Sequence, residues 1–211
     1  MWGIEHGVAF LDTVALFKKV NCSLIDIGAH HGTVTRAALH ANCQVWSFET
    51  DSRSQKQLHH NVPAMRIYTS EHVDNVVPEN IFATMVKIDV DGADYKLARR
   101  ANNTLRRALS VHVEIRPRGR NAIDAYLRFL RDAGFRLFVH WCNPLSGVCP
   151  RGVPSIRDEK IEQLRPQHPA RALVRSCGLG FVPLNTSTVD ALFREGTYEL
   201  DIWGVRHEAC G

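Results

Sequence analysis

Two short runs of this 211-residue chain bring together residue types that a small-molecule site needs. The first is Leu24-Ile25-Asp26-Ile27-Gly28-Ala29-His30-His31-Gly32. An apolar stretch enters a glycine-bearing turn, and a helical pattern follows. Glycine suits such a turn because the backbone must bend tightly and let a ligand come close. The second run is Met85-Val86-Lys87-Ile88-Asp89-Val90-Asp91-Gly92-Ala93-Asp94. If it is a strand, Lys87, Asp89 and Asp91 face one side, because side chains alternate. His112, Glu114 and Arg116 form a second row with the same spacing. Charges on central parallel strands are costly unless they are paired or stand at the mouth of the sheet. Both rows gain charge toward their C-terminal ends, the edge where open α/β sheets bind ligands.

The details of the glycine turn separate two cofactor classes. A dinucleotide fingerprint asks for G-x-G-x-x-G, and here His30 and Thr33 stand at the second and third glycine positions. A pyrophosphate would lose its close backbone approach. Asp26, two residues before the first glycine, would repel a diphosphate and suits a positively charged group, such as the amino group of S-adenosylmethionine. Glu49 ends the next apolar run and is placed to bind ribose hydroxyls. The expected cofactor is therefore S-adenosylmethionine, with Asp26, Gly28, Ala29, His30, Gly32 and Glu49 as its binding residues.

Asp89 and Glu114 are the expected groups for proton removal or acceptor positioning. His112, His140 and His31 have a better intrinsic pKa for a base and stand as alternatives. Asp89, Asp91 and Glu114 are hard oxygen donors that could hold a divalent cation. Lys87 and Arg116 oppose that much added positive charge, so no metal is expected. His140, Cys142, Cys149, His168 and Cys177 do not match a standard zinc spacing.

These residues need a scaffold, and the chain reads as alternating strand and helix, the pattern of a mainly parallel sheet covered on both faces. Phe10, Val14 and Phe17 recur at helical spacing and predict an N-terminal helix over about 8–20. Strands are expected at 23–27, 44–49, 66–70, 84–90, 110–115, 135–141 and 198–205. Helices are expected at 33–41, 51–61, from Asp94 onward and at 188–195. The clearest helix carries Ile123, Tyr126, Leu127, Leu130 and Ala133 on one face and stops at Gly134. Residues 143–180 concentrate late Pro, Gly and Arg and read as a basic insertion or lid, with a short helix near 155–164. The whole chain, 1–211, is expected to be a single Rossmann-like domain.

Bulk properties narrow the class. Hydrophobic residues make up 45% and charged residues 23%, enough apolar material for a sizeable core. No stretch has the apolar length of a membrane span, and Glu5, His6 and Asp12 interrupt the N-terminus, so neither a span nor a secretory signal is expected. The six cysteines show no CxxC pair and read as mostly free thiols in a reducing, cytoplasmic setting. A net charge of +4 does not demand nucleic acid. Asn143-Pro144-Leu145-Ser146 resembles the N-P-P-Y motif of base-modifying enzymes, but it follows the sixth strand and lacks the aromatic.

From Leu24 to Trp141 the motifs resemble those of the FkbM family of methyltransferases. Asp26 to Gly32 resembles its D-x-G-A-N-x-G, with His30 in place of Asn. Phe48-Glu49-Thr50 resembles F-E-P, with Thr in place of Pro. Lys87 to Asp94 resembles K-I-D-V-E-G-A-E, and Val113-Glu114-Ile115 resembles a fifth-strand V-E-I. The resemblance implies a class I methyltransferase fold with a seven-stranded sheet, S-adenosylmethionine as donor, and O-methylation of a hydroxyl on a small molecule or carbohydrate. The segment from Asn61 to Thr84 is shorter than in that family, where it carries adenine contacts. Two alternatives remain: a non-catalytic binding module, and a methyltransferase for nucleic acid that uses the arginines of 143–180.

Overall fold

The computed structural model describes residues 21–63, 65–69, 72–116, 120–144 and 198–206, with backbone alone at 140–144 and 198–200. The expected helices at 8–20, 155–164 and 188–195 lie outside the described residues, as does the basic insertion apart from Asn143 and Pro144. The elements in chain order are β1 (Ser23–Ile27), α1 (Thr33–His40), β2 (Gln44–Phe48), α2 (Ser52–Asn61), β3 (Ile67–Tyr68), α3 (Val73–Val76), β4 (Met85–Ile88), α4 (Asp94–Arg100), α5 (Asn102–Arg107), β5 (Ser110–Ile115), α6 (Arg120–Asp132), β6 (Phe135–Pro144) and β7 (Tyr198–Arg206). The seven strands form one sheet in the order β3-β2-β1-β4-β5-β7-β6. β1 pairs in parallel with β2 and β4, and β2 in parallel with β3. β6 and β7 are antiparallel, with an irregularity between Val139 and Trp141. Contacts group the chain into two compact units, 1–112 and 113–211.

In the first unit, β1 is buried at every position and β4 likewise, as expected for strands covered on both faces. Leu24 and Met85 pack with Val34 and Ala38 of α1, and Leu58 of α2 packs with Ala29 and Val62. α2 begins at Asp51, whose carboxylate accepts the Ser54 N–H at 2.7 Å. That bond satisfies one of the orphan donors of the first turn. It also holds the exposed Asp51 carboxyl below its ordinary value.

Three features of this unit differ from the sequence expectation. β4 ends at Ile88, so Asp89 and Asp91 lie in the following turn, where Asp91 has φ 48. The helix from Asp94 is two short helices that meet at Ala101. Asp74 on α3 accepts the N–H groups of Asn103 and Thr104 and the Thr104 hydroxyl at 2.7–2.9 Å, which caps α5 from a distant part of the chain. α3 itself has four residues, too few to show a period.

The second unit follows the expected pattern closely. α6 buries Ile123, Tyr126, Leu127 and Leu130. Gly134, at φ 96, ends it, in a conformation that a Cβ would strain. The Ala133 carbonyl left by the helix accepts from Arg206 Nη1 at 2.8 Å. β6 runs three residues past its expected end, to Pro144, which pairs with Tyr198.

One cysteine expectation is corrected. Cys22 and Cys43 form a disulfide, with their Cα atoms 4.7 Å apart and both residues buried. The cause is tertiary. Each cysteine directly precedes a strand, and the β1–β2 register sets Ser23 beside Gln44, so residues 21 apart in sequence become neighbours. The side chains of the other four cysteines lie outside the described residues. The bond closes a loop that contains β1, the glycine turn and α1. Closing a loop of this length stabilises a fold by roughly 3 kcal/mol through the unfolded chain. Reduction, or Cys22→Ser, is therefore expected to lower the melting temperature, read by calorimetry with and without reductant. Equal melting in both conditions would contradict the bridge.

Candidate functional site

The site is built from the C-terminal ends of β1, β2 and β4, all in the first unit. Parallel register sets Asp26 beside Ser47 on β2 and beside Lys87 on β4. Residues in register share a face, so these three side chains stand in a row beneath α1. All three are buried. Thr35, two residues into α1, closes the row from above. Its hydroxyl donates to Asp26 Oδ2 at 2.7 Å and lies 2.7 Å from the Ser47 hydroxyl.

Lys87 is the centre of this arrangement. Its ammonium lies 3.3 Å from Asp26 Oδ1 and 3.4 Å from Asp89 Oδ2. It also donates to the Gly28 carbonyl at 2.5 Å. Asp26 Oδ1 has no hydrogen-bond donor among the described residues, so the ion pair with Lys87 is what compensates it. Burial by itself would drive the lysine neutral. The carboxylates of Asp26 and then Asp89 outweigh burial and raise the Lys87 pKa above its ordinary value of 10.5.

Gly28 shows why the turn needs glycine. It has φ 79, and a Cβ there would overlap the Asp89 carbonyl oxygen. The turn therefore packs directly against the end of β4. The Gly28 and Ala29 N–H groups both donate to the Phe48 carbonyl, at 2.9 and 3.1 Å, which ties the same turn to β2. His30 follows at φ 48, a left-handed conformation that is uncommon outside glycine. Its ring stacks on that of His31 with centroids 3.7 Å apart. Gly32, also left-handed, leads into α1.

Glu49 faces this turn from the end of β2. Oε2 accepts the His30 N–H at 2.8 Å, and Oε1 accepts the N–H groups of Thr50 and Asp51 at 2.7 and 2.8 Å. Three backbone donors orient the carboxylate. Oε2 keeps a lone pair for one further donor. The turn after β4 is shaped by Asp94, which accepts the N–H groups of Val90 and Gly92 at 3.0 and 2.9 Å. Burial pushes the Asp94 carboxyl up, against those hydrogen bonds. Asp89 is half-buried and Asp91 exposed, so two carboxylates border the turn on its open side.

The structure thus gathers Asp26, Gly28, Ala29, His30, Gly32, Glu49 and Asp89 at one edge of one unit. Asp26 differs from its expected setting. Its carboxylate is fully buried beneath the turn and engages Thr35 and Lys87. Glu114 belongs to the second unit, where Arg116 Nε donates to it at 3.0 Å. His112 is fully buried on β5, and the His140 side chain lies outside the described residues. His31 is exposed and borders an open groove of about 420 Å³ shared with Lys56, Gln57, His60 and Asn61. No cluster able to hold a metal ion occurs among the described residues. Ser47 and Lys87 as register neighbours of Asp26, and Thr35 as its hydrogen-bond donor from α1, escape a linear reading. The strand neighbours appear only once strands are aligned, and the helix donor only once α1 packs on them.

No model of a known protein family matches the sequence, and no curated protein does. Solved structures do match. The chain aligns over 97% of its length with 82% of a proposed RNA methyltransferase from Pyrococcus horikoshii, at 11% identity and TM-score 0.51. It aligns over 93% of its length with 87% of precorrin-6y C5,15-methyltransferase from Geobacter metallireducens GS-15, at 13% identity and TM-score 0.50. It spans only 51% of an S-adenosylmethionine-dependent methyltransferase from Clostridium acetobutylicum ATCC 824, with TM-score 0.42. At these identities the likeness concerns the fold, and the fold is the Rossmann-like class I methyltransferase fold.

Lys87→Met tests the centre of the site, because it leaves Asp26 buried without its counter-charge. Removing one partner of such a pair costs about 3–5 kcal/mol, read as a lower midpoint in urea unfolding. A change below about 1 kcal/mol, the range of exposed pairs, would show that the pair is solvated. The raised Lys87 pKa also fixes a pH trend. Its stabilising contribution is complete below 10.5 and is lost as pH rises beyond that value.

Proposed function

We propose that this chain is an S-adenosylmethionine-dependent methyltransferase whose acceptor is a hydroxyl on a small molecule or carbohydrate. The observation that carries the reading is Glu49. It is a buried carboxylate clamped by three backbone N–H groups, one of them from the glycine turn, with acceptor capacity left over. Such a group suits a ribose hydroxyl, and its link to the His30 N–H would couple sugar binding to the turn. The acids bordering the edge fit a cofactor that carries a sulfonium and an ammonium. Bound there, S-adenosylmethionine would supply the electrophilic methyl group.

In this reading the chain's own residues divide the work. Asp26, Thr35, Ser47 and Lys87 hold the turn from below. Direct contact to the cofactor falls not to Asp26 but to the groups above it: the backbone of Gly28 to Gly32, and Glu49. Asp89 is half-exposed at the same edge and is the group suited to orient an acceptor hydroxyl or take its proton. Glu114 is the second carboxylate assigned to that task. Much of the rate would come from holding the acceptor in line with the methyl group. The O-methyl specificity rests on the resemblance to FkbM motifs. The expectation of a cytoplasmic setting rests on free thiols, and the Cys22–Cys43 disulfide removes that ground. Among the described residues no helix is long and apolar enough to cross a membrane.

Thermal shift with S-adenosylmethionine and with its demethylated product tests the cofactor, and no shift with either would defeat the reading. Glu49→Ala is expected to weaken cofactor binding by about 10- to 100-fold, the range for a hydrogen bond to a charged group, measured by calorimetry. Asp89→Asn is expected to spare binding and reduce turnover by roughly 100-fold or more, as for loss of a general base. If binding falls instead, Asp89 is a cofactor ligand and the base lies elsewhere.

A further inference from the structure

Helices α4 and α5 bury one side and turn the other to solvent. Leu97, Ala98, Ala101, Thr104, Leu105 and Ala108 are buried. Between Tyr95 and Leu109 the exposed positions are Lys96, Arg99, Arg100, Asn103 and Arg106. Four of these are cations and one is an amide. No acidic residue occurs from Tyr95 to Val113. Solvated helix faces commonly alternate the signs of their charges. The chain as a whole is nearly balanced, with 26 Lys and Arg against 22 Asp and Glu. The single sign on this face is therefore a local feature. Asp74 accepts the N–H groups of Asn103 and Thr104 and the Thr104 hydroxyl. That cap holds α5 in place.

Aromatic rings accompany the cations. Tyr95 is half-buried, with the Arg99 guanidinium 6.0 Å from its ring centroid. Phe82 is 67% exposed and is the one exposed large hydrophobic side chain among the described residues. It lies next to Ala83, whose carbonyl accepts the Leu109 N–H at 2.8 Å, so it adjoins the C-terminal end of α5. An aromatic ring left in water near the end of a cationic helix matches a platform on which a nucleobase stacks.

We propose that the α4–α5 face is a binding site for single-stranded nucleic acid. Lys96, Arg99, Arg100 and Arg106 contact phosphates, and Phe82 stacks on a base. A membrane surface is the other anionic partner, but it needs an apolar side along the helix, and α4 and α5 expose none. α4 begins directly after the Asp89–Gly92 turn, so a strand lying along it is led toward the edge that carries Glu49 and Asp89. The site uses none of the cofactor residues and does not rest on the methyl-transfer reading.

The test is fluorescence anisotropy of the full chain with short labelled single strands of RNA and DNA across a salt series. Vesicles containing anionic lipid serve as the membrane arm. For four phosphate contacts the logarithm of affinity should fall with log salt at a slope of about −3. Lys96→Glu with Arg99→Glu should weaken binding by at least about tenfold and flatten the slope by roughly 1.4. Both positions are exposed, and a thermal melt checks that the fold persists. Phe82→Ala should weaken binding about tenfold and leave the slope unchanged. The stronger of the RNA and DNA arms identifies the sugar. Three results overturn the proposal: no binding at low salt, unchanged affinity and slope in the double variant with a native melt, or binding to vesicles but not to oligonucleotides. Thermal shift with S-adenosylmethionine, run in parallel, keeps a failure here distinct from a failure of the cofactor reading.

Discussion

A buried lysine holds the candidate site together. The Lys87 ammonium sits among Asp26, Asp89 and the Gly28 carbonyl, and so joins β1, β4 and the turn that leaves β1. The buried Lys87–Asp26 pair is tolerable only while both partners are present, because both lose their water on folding. The same condition explains the small polar residues nearby. The Thr35 hydroxyl donates to Asp26 and lies against the Ser47 hydroxyl; an apolar residue at 35 would leave Asp26 Oδ2 without that donor. The polar row is thus one unit, and its geometry is transmitted to the glycine turn through a single carbonyl.

Above that row the turn is fastened from a second direction. The Phe48 carbonyl takes two N–H groups from it, and Glu49 takes a third. Neighbouring strands therefore grip both sides of the turn, and among its left-handed residues His30 is held in a conformation that a non-glycine residue rarely visits. Preorganisation of this kind lowers the ordering cost of binding a ligand. The Cys22–Cys43 bridge closes the same β1–α1 segment at the opposite end of the strands. The segment is restrained at its base by a covalent bond and at its mouth by hydrogen bonds.

Much of this was legible in the sequence. The apolar runs at β1, β4 and β5, the periodic face of α6 and the glycine stop at Gly134 rest on local physics, and the elements formed where local pattern placed them. The glycine turn and Glu49 were legible for the same reason, since a turn and a strand end have short-range signatures. The reading was weaker where elements were short. α3 and the break between α4 and α5 span too few residues for a period to emerge. The alternation of Lys87, Asp89 and Asp91 suggested one strand face, yet the chain leaves the strand after Ile88, because the turn must make room for Gly28 packed against Asp89.

The sequence by itself determined which residues lie at the C-terminal ends of strands, and hence which acids gather at one edge of the sheet. Strand order and register, which depend on the packing of distant segments, decided what those acids do. Asp26 appears in the sequence as a carboxylate waiting for a cation from outside. In the folded chain Lys87 occupies the register position beside it and supplies that cation from within. Cys22 and Cys43 appear as separate thiols, and strand pairing makes them neighbours. In both cases the deciding contact joins residues on, or directly before, different strands, and no local pattern encodes which strands will meet.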